Sequence, residues 1–255
     1  MGTGIRTTGQ LTIEAIAWLR RADEVLHLVG DPVAEAVVTS IAAGREQSLR
    51  RFYQEGEKRR GSYDAMVDCI IDRLHEVTVL CVALYGHPGV FACVGHEAIE
   101  RARAEGLDAQ MLPGISAEDC LFAELGVDPA VGGCLSYEAT DFLVHRRAVD
   151  PAANLVLWQV GVLGEVRYVS GTFDGWALPL LVDKLAEQYP LDHEVTVYQA
   201  STLPLQLPRV TRVRLDELAQ VPLTSGSTLY VPPACRPERD EELAALVMER
   251  LNSPA

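Results

Sequence analysis

The stretch that decides the fold is Thr78-Val-Leu-Cys-Val-Ala-Leu-Tyr-Gly-His-Pro-Gly-Val90. Its first seven residues form an unbroken apolar run of strand length, which is typical of a strand covered on both faces in a parallel sheet. We therefore expect this strand to lie centrally. Glycine and proline then crowd at positions 86, 88 and 89, which ends the strand and leaves little side chain between the backbone and a ligand. Because ligands bind at the carboxyl ends of strands in open α/β sheets, the sequence predicts a binding loop here.

Helical and strand patterns alternate along most of the chain, which indicates an α/β fold. Helices are predicted over residues 11–22, 34–42, 97–105, 176–188 and 238–251, and strands over 24–29, 109–112, 154–160, 193–200, 209–213 (as an edge strand) and 227–231. Ser62 is predicted to be an N-cap, with Tyr63 at the start of the helix behind it. Ser116 should cap a further helix through a capping box with Asp119, and Gly126 should end it.

These patterns predict two α/β domains, residues 1–124 and 125–255, of which the second has more antiparallel character. The cleft between them is the default place for a ligand.

Composition excludes several functional classes. The chain has 255 residues, 48% of them hydrophobic, which is enough for a sizeable core. Its formal net charge of −14 argues against nucleic acid as a partner, because binding a phosphate backbone needs a basic face. No apolar run is long enough to cross a membrane and no signal segment opens the chain, so we expect a cytoplasmic protein with no membrane partner. The six cysteines contain no C-x-x-C pair and are interpreted as reduced core residues, with no metal site.

Four sets of residues carry a resemblance to a known family. They are Tyr85-Gly-His-Pro-Gly-Val-Phe91, Pro113-Gly-Ile-Ser-Ala-Glu-Asp119, Trp158-Gln159, and Ser227-Thr-Leu229 followed by Pro232-Pro233. Together they resemble the tetrapyrrole-methylase superfamily of S-adenosylmethionine-dependent methyltransferases, and within it the borosin-type peptide backbone α-N-methyltransferases. The resemblance covers nearly the whole chain.

The resemblance implies a two-domain α/β fold with S-adenosyl-L-methionine bound in the interdomain cleft of a homodimer. The donor contacts it implies are Tyr85, His87, Val90, Ala117, Gln159, Ala200, Ser227 and Thr228. It places the catalytic tyrosine and arginine cluster on Tyr53, Arg59 and Tyr63, with Arg60 as the alternative arginine. By itself, His87 would be a hydrogen-bonding loop residue rather than a metal ligand. Asp23, Glu24 and Glu97 are interpreted as ordinary solvated charges.

The chemistry of amide methylation explains why such residues are needed. An amide nitrogen is a poor nucleophile because its lone pair is delocalised into the carbonyl, so its proton must be removed or the imidate form stabilised. Our hypothesis makes Tyr63 the base or its relay. Arg59 and Tyr53 would polarise the amide oxygen as negative charge develops there.

The substrate is predicted to be a separate precursor peptide, bound in trans as part of a heterotetramer. In fused borosin enzymes the peptide is attached to the enzyme's C-terminus, whereas the residues after Pro233 form a charged amphipathic helix pattern. The homodimer interface is expected around residues 121–135. Two alternatives stay open: a methyltransferase of the same superfamily that acts on a corrinoid or porphyrin precursor, and a catalytically silent peptide-binding module.

Overall fold

A computed structural model describes residues 1–169 and 173–252 of the protein. The helices are α1 (Thr7–Gln10), α2 (Ile13–Arg21), α3 (Pro32–Ala42), α4 (Arg59–Leu74), α5 (Cys93–Ala104), α6 (Ala117–Leu125), α7 (Ala139–Val144), α8 (Leu178–Leu185) and α9 (Glu241–Asn252), with short 3-10 helices at Leu49–Phe52, Val160–Val162 and Leu215–Gln220. The strands are β1 (Glu24–Leu28), β2 (Glu46–Ser48), β3 (Leu80–Leu84), β4 (Cys134–Glu138), β5 (Asn154–Trp158), β6 (Glu194–Gln199), β7 (Arg209–Arg214) and β8 (Thr228–Val231).

The strands form two sheets that match the expected α/β class. The first has the order β2-β1-β3 and is entirely parallel. The second has the order β4-β5-β8-β6-β7, with β4 and β5 parallel and the other pairs antiparallel. The more antiparallel character predicted for the second half is therefore confirmed, as is the edge position of β7. No feature of the two sheets tests the boundary at residue 124, which stays a prediction.

The expectation that β3 lies centrally is wrong, because β1 is the middle strand of its sheet. On the other side of β3, the start of the chain makes a short parallel pairing through a bridge between Gly2 and Leu84. The Met1 amino group donates to the Val82 carbonyl at 2.7 Å. The segment 109–112, predicted as a strand, is not one; Leu112 accepts a hydrogen bond from Gly2 N–H at 3.1 Å, and no ladder forms beside it.

Local signals for α6 are confirmed. Ser116 is its N-cap, the capping box with Asp119 is complete, and Gly126 ends the helix at φ +69°. The N-cap predicted at Ser62 is wrong, since α4 already begins at Arg59. The reason lies in the partner of the helix start: Arg59 N–H donates to the Val166 carbonyl at 3.0 Å, so an orphan donor is satisfied from a distant segment rather than by a serine cap.

The two halves of the chain share a hydrophobic core. Ile5 and the α6 residues Cys120 and Leu121 pack with Trp158 and Tyr198 of the second sheet. Leu121 is fully buried there, so part of the segment 121–135 packs within the single chain.

The interpretation of Glu24 as a solvated charge is wrong. Glu24 is buried and accepts hydrogen bonds from Arg73 Nε at 2.8 Å and from Gln47 at 2.8 Å. Two interactions from α4 and β2 therefore compensate its desolvation.

Two further expectations concern the cysteines and the membrane. All six cysteines carry free thiols, as expected, but the interpretation of all six as core residues is wrong, because Cys235 is exposed and only Cys81 and Cys120 are buried. Among the described residues, no helix has the length and apolar character needed to span a membrane.

Candidate active site

Tyr53, Arg59 and Tyr63 are brought together between the 3-10 helix Leu49–Phe52 and the first turn of α4. Tyr53 directly follows the 3-10 helix and Arg59 opens α4, so Tyr63 lies one turn further on the same helix. The rings of Tyr53 and Tyr63 meet edge to face, with centroids 6.3 Å apart at 76°. Both side chains pack against the core formed by α4 and α5.

A short antiparallel contact holds this segment against the second half of the chain. Lys58 and Arg167 form a β-bridge, and Arg59 N–H donates to the Val166 carbonyl at 3.0 Å. Gly56 N–H donates to the Tyr168 carbonyl at 2.9 Å, and Tyr168 N–H donates to the Glu57 carbonyl at 2.8 Å. Residues 56–59 and 165–168 thus form a small two-stranded ribbon joining segments about one hundred positions apart in sequence.

The ribbon also fixes the arginine. The Arg59 guanidinium donates to the backbone carbonyl of Glu165, so its side chain is anchored from the facing strand of the ribbon. A guanidinium has five N–H donors, so the remaining ones are available to a ligand. Arg60 points elsewhere: it pairs with Glu97 and Asp64, both at 2.6 Å, and its side chain is 60% exposed. The geometry therefore places Arg59, and not Arg60, with the two tyrosines.

Tyr53 is held in its neutral form. Desolvation, the charge of Tyr63 and a hydrogen bond with Tyr63 raise the pKa of Tyr53 well above its usual range, and the nearby Arg59 opposes this only in part. A phenol that keeps its proton is a hydrogen-bond donor. Tyr53 is therefore suited to donate to an oxygen that gains negative charge, and unsuited to act as a base.

The loop after β3 carries three of the expected donor contacts: Tyr85, His87 and Val90. Tyr85 is 40% exposed at the start of this loop. His87 Nδ1 accepts a hydrogen bond from Gly89 N–H at 3.0 Å, and the His87 carbonyl accepts one from Val90 N–H at 3.2 Å. The interpretation of His87 as a hydrogen-bonding loop residue is confirmed by these contacts.

Glycines allow three backbones to meet beside this loop. Gly86 adopts φ +68°, and a Cβ atom on Gly114 would lie only 2.5 Å from the Gly86 carbonyl oxygen and 2.7 Å from the Cα of Gly2. Side chains would hold these segments apart. The closeness brings the Pro113-Gly114 turn, and hence the first residue of α6, Ala117, beside the loop.

The second half contributes the other four expected donor contacts from adjoining strand ends. Ala117 and Ala200 pack against the same buried cluster as Trp158, the residue before Gln159. Gln159 adopts a left-handed φ of +60°, which is uncommon for a side chain other than glycine. Thr228 pairs with Tyr198 in the sheet, so Ser227 and Thr228 lie near the end of β6 that leads to Ala200.

An aromatic contact joins the loop to the second half. Phe91 adopts φ +49°, and the centroid of its ring lies 5.8 Å from the ring centroid of Trp158. Trp158 Nε1 donates to Ser136 Oγ at 2.7 Å, and Ser136 in turn donates to Glu118 at 2.9 Å. The residues expected at the donor site therefore flank one buried cluster shared by both halves.

Sequence reasoning missed Tyr168. Its ring stacks on that of Tyr53 with centroids 4.4 Å apart and an angle of 12°. Nothing in the local sequence Val166-Arg-Tyr-Val169 indicates a partner near residue 57. Within residues 1–169 and 173–252, no group of three or more His, Cys, Asp or Glu side chains is arranged to hold a metal ion.

Comparison with known families identifies the class. The family described as Tetrapyrrole (Corrin/Porphyrin) Methylases matches residues 1–219, and the chain belongs to this family. The resemblance noted in the sequence is thereby confirmed.

Two relatives are more specific in name. The chain is 36% identical over 251 residues to a methyltransferase/ribosomally synthesized cyclic peptide dendrothelin A precursor of Dendrothele bispora, covering 97% of this chain and 60% of the relative. It is 39% identical over 249 residues to a methyltransferase/ribosomally synthesized type III borosin cyclic peptide precursor of Anomoporia bombycina. That match covers 96% of this chain and 29% of the relative. The chain thus spans less than two thirds of the length of these relatives.

Solved structures support the fold. Uroporphyrin-III-C-methyltransferase from Thermus thermophilus superimposes with a TM-score of 0.64 at 20% identity, over 100% of this chain and 96% of that one. A second structure of a uroporphyrin-III C-methyltransferase from the same organism, complexed with S-adenosyl homocysteine, gives a TM-score of 0.60 at 17% identity over 91% and 90% of the two chains. At this identity the comparison concerns the fold alone, and it agrees with the α/β fold of the tetrapyrrole-methylase type that was predicted from the sequence.

Proposed function

We propose that the protein N-methylates backbone amides of a precursor peptide with S-adenosyl-L-methionine as the methyl donor, as a step of borosin-type biosynthesis of ribosomally made peptides. The observation that carries this proposal is the cluster of Tyr53, Arg59 and Tyr63, which were expected from the sequence and lie together at the junction of the two halves. The names of the similar relatives, which join a methyltransferase to a peptide precursor, support it.

In this proposal the donor would lie against the shared buried cluster. Tyr85, His87, Val90 and Ala117 would contact it from the first half, and Gln159, Ala200, Ser227 and Thr228 from the second. When bound, the donor supplies an electrophilic methyl group. The protein aligns the amide nitrogen with that group and keeps water away from both.

The three catalytic side chains have separate roles. Arg59, anchored at the Glu165 carbonyl, keeps its positive charge and polarises the amide oxygen. Tyr53 keeps its proton because its pKa is raised, and it donates a hydrogen bond to the same developing negative charge. Tyr63 accepts the amide proton, either on its phenolate oxygen or as a relay that passes its own hydroxyl proton on to water.

We propose further that the precursor is a separate protein bound in trans and that the enzyme is a homodimer, giving a heterotetramer with its substrate. Exposed apolar side chains support a protein partner: Val131 is 74% exposed in the segment 121–135, and Leu205 and Leu207 are largely exposed between β6 and β7. Free thiols at all six cysteines support a reducing compartment, the cytoplasm.

The test is intact-mass analysis of a peptide after reaction with the enzyme and S-adenosyl-L-methionine. One substrate is a precursor encoded beside the gene, co-expressed with it, and a second is the part of the Dendrothele bispora relative that this chain does not span, supplied separately. We expect mass increases of about 14 Da, one for each methyl group. Tyr63→Phe should lower turnover at least about 100-fold while binding of S-adenosyl homocysteine, measured by calorimetry, is unchanged. Full turnover in Tyr63→Phe would refute its role.

The same preparation separates the alternatives. Methylation of a porphyrin precursor, followed by its ultraviolet-visible spectrum, would replace the peptide proposal by the tetrapyrrole one. Peptide binding without donor turnover would indicate a silent binding module.

A further inference from the structure

We propose that Tyr168 is a positioning residue for amide methylation, which fixes the ring of Tyr53 so that its hydroxyl stays directed at the reacting amide. This inference rests on the proposed function. It adds a residue from the second half of the chain to a catalytic cluster otherwise built from residues 53–63.

The first argument is the geometry of the two rings. Tyr168 stacks on Tyr53 at 4.4 Å and 12°, whereas Tyr63 meets the edge of Tyr53 at 76°. Two neighbours at nearly perpendicular angles restrict the Tyr53 ring both in tilt and in rotation. A hydroxyl on a restricted ring loses less freedom when it donates to a substrate oxygen.

The second argument is the rigidity of the backbone that carries Tyr168. Its N–H and its carbonyl both take part in the ribbon, with Glu57 and Gly56 respectively. The same strand of the ribbon supplies the Glu165 carbonyl to Arg59. One four-residue segment, 165–168, therefore holds both groups proposed to polarise the amide oxygen.

The third argument is electrostatic. Tyr168 is one of the groups whose presence raises the pKa of Tyr53, although desolvation and Tyr63 contribute more. Removing the aromatic ring at position 168 would expose one face of Tyr53 to water and weaken the desolvation that keeps it protonated. The stack thus favours the form of Tyr53 that donates.

The test uses three substitutions at or near this position in the full chain. Tyr168→Phe keeps the stacked ring, Tyr168→Leu removes it, and Trp176→Leu removes a ring that is 60% exposed elsewhere in the same half. With the co-expressed precursor as substrate, we expect Tyr168→Leu to lower kcat about tenfold with little change in the KM for S-adenosyl-L-methionine, since a stacked pair is worth up to about that factor. Tyr168→Phe and Trp176→Leu should retain activity within about twofold.

A double-mutant cycle distinguishes positioning from a general loss of structure. If Tyr168 acts through the hydroxyl of Tyr53, the kcat penalty of Tyr168→Leu should disappear in the Tyr53→Phe background. The alkaline limb of the kcat profile should also move to lower pH in Tyr168→Leu, because Tyr53 would ionise more easily. Full activity of Tyr168→Leu, or a penalty that is unchanged by Tyr53→Phe, would overturn the inference. Absence of methylation by the unsubstituted enzyme would instead refute the proposed function.

Discussion

The hydrogen bond between Tyr198 and Glu124 offers the sharpest stability prediction, because it joins β6 to α6 across the two halves. Tyr198 Oη donates to Glu124 Oε2 at 2.5 Å, and the Tyr198 side chain is fully buried. Tyr198→Phe removes only the hydroxyl and leaves the ring in place. Hydrogen bonds to charged acceptors contribute about 1.5–3 kcal/mol to stability.

The expected loss lies at the lower end of that range. Glu124 is partly exposed, so its carboxylate regains a water molecule once the hydroxyl has gone. We therefore expect Tyr198→Phe to lower the free energy of unfolding by about 1.5–2 kcal/mol. With an unfolding entropy of about 2.1 cal/mol/K per residue, this corresponds to a Tm lower by about 3–4 °C in scanning calorimetry at pH 7.

The pH dependence follows from the same contact. Desolvation and the hydrogen bond to Glu124 raise the pKa of Tyr198 above its usual value near 10. A tyrosine whose pKa is raised by folding stabilises the folded state fully below pH ~10, and that contribution is lost as the pH rises through the folded-state pKa. The stability difference between the unsubstituted protein and Tyr198→Phe should therefore be constant up to pH ~10 and shrink above it. A Tm difference below about 1 °C at pH 7, or no coupling with Glu124→Ala in a double-mutant cycle, would refute the reasoning.

Three further predictions concern the arginines, a buried histidine and a glycine. Arg59→Lys should lower methylation at least about 100-fold in the mass assay, because lysine cannot reproduce the guanidinium fork, whereas Arg60→Lys should keep activity within about twofold. Burial lowers the pKa of His27, whose Nδ1 has no hydrogen-bond partner among the described residues. The neutral histidine therefore contributes its full stability to the fold above pH ~6.5, and this contribution is lost as the pH falls below that value. Chemical denaturation across that pH range should show a smaller loss of unfolding free energy for His27→Gln than for the unsubstituted protein. Gly114→Ala should destabilise the fold by about 1–3 kcal/mol, since its Cβ would meet a carbonyl oxygen at 2.5 Å, whereas Gly9→Ala, with open space around its Cβ, should be neutral or slightly stabilising.

Each of these three has a clear contrary result. Full activity in both arginine variants would mean that the basic turn acts through its charge alone. Identical acid unfolding of the unsubstituted protein and His27→Gln would mean that His27 does not contribute to the loss of stability at low pH. A Gly114→Ala variant as stable as Gly9→Ala would show that the backbones beside the loop can separate freely.

The sequence alone determined the features that are encoded locally. The apolar run 78–84 and the glycine and proline residues behind it are enough to predict β3 and its loop, because burial and backbone freedom leave a direct trace in residue type. The capping box at Ser116 predicts the start of α6 and the glycine at position 126 predicts its end, because both signals depend only on neighbouring residues. The resemblance identified the methylase family and implied which two tyrosines and which arginine are catalytic. The structure brings these three side chains together.

Tertiary contacts decided the rest. Whether β3 lay in the middle of its sheet depended on which strands paired with it, and the start of α4 depended on a partner near residue 166. Glu24 is buried because Arg73 and Gln47 reach it, and Tyr168 meets Tyr53 because residues 56–59 pair with 165–168. Such contacts join residues far apart in the chain, and local pattern and propensity carry no information about which distant segment will supply the partner.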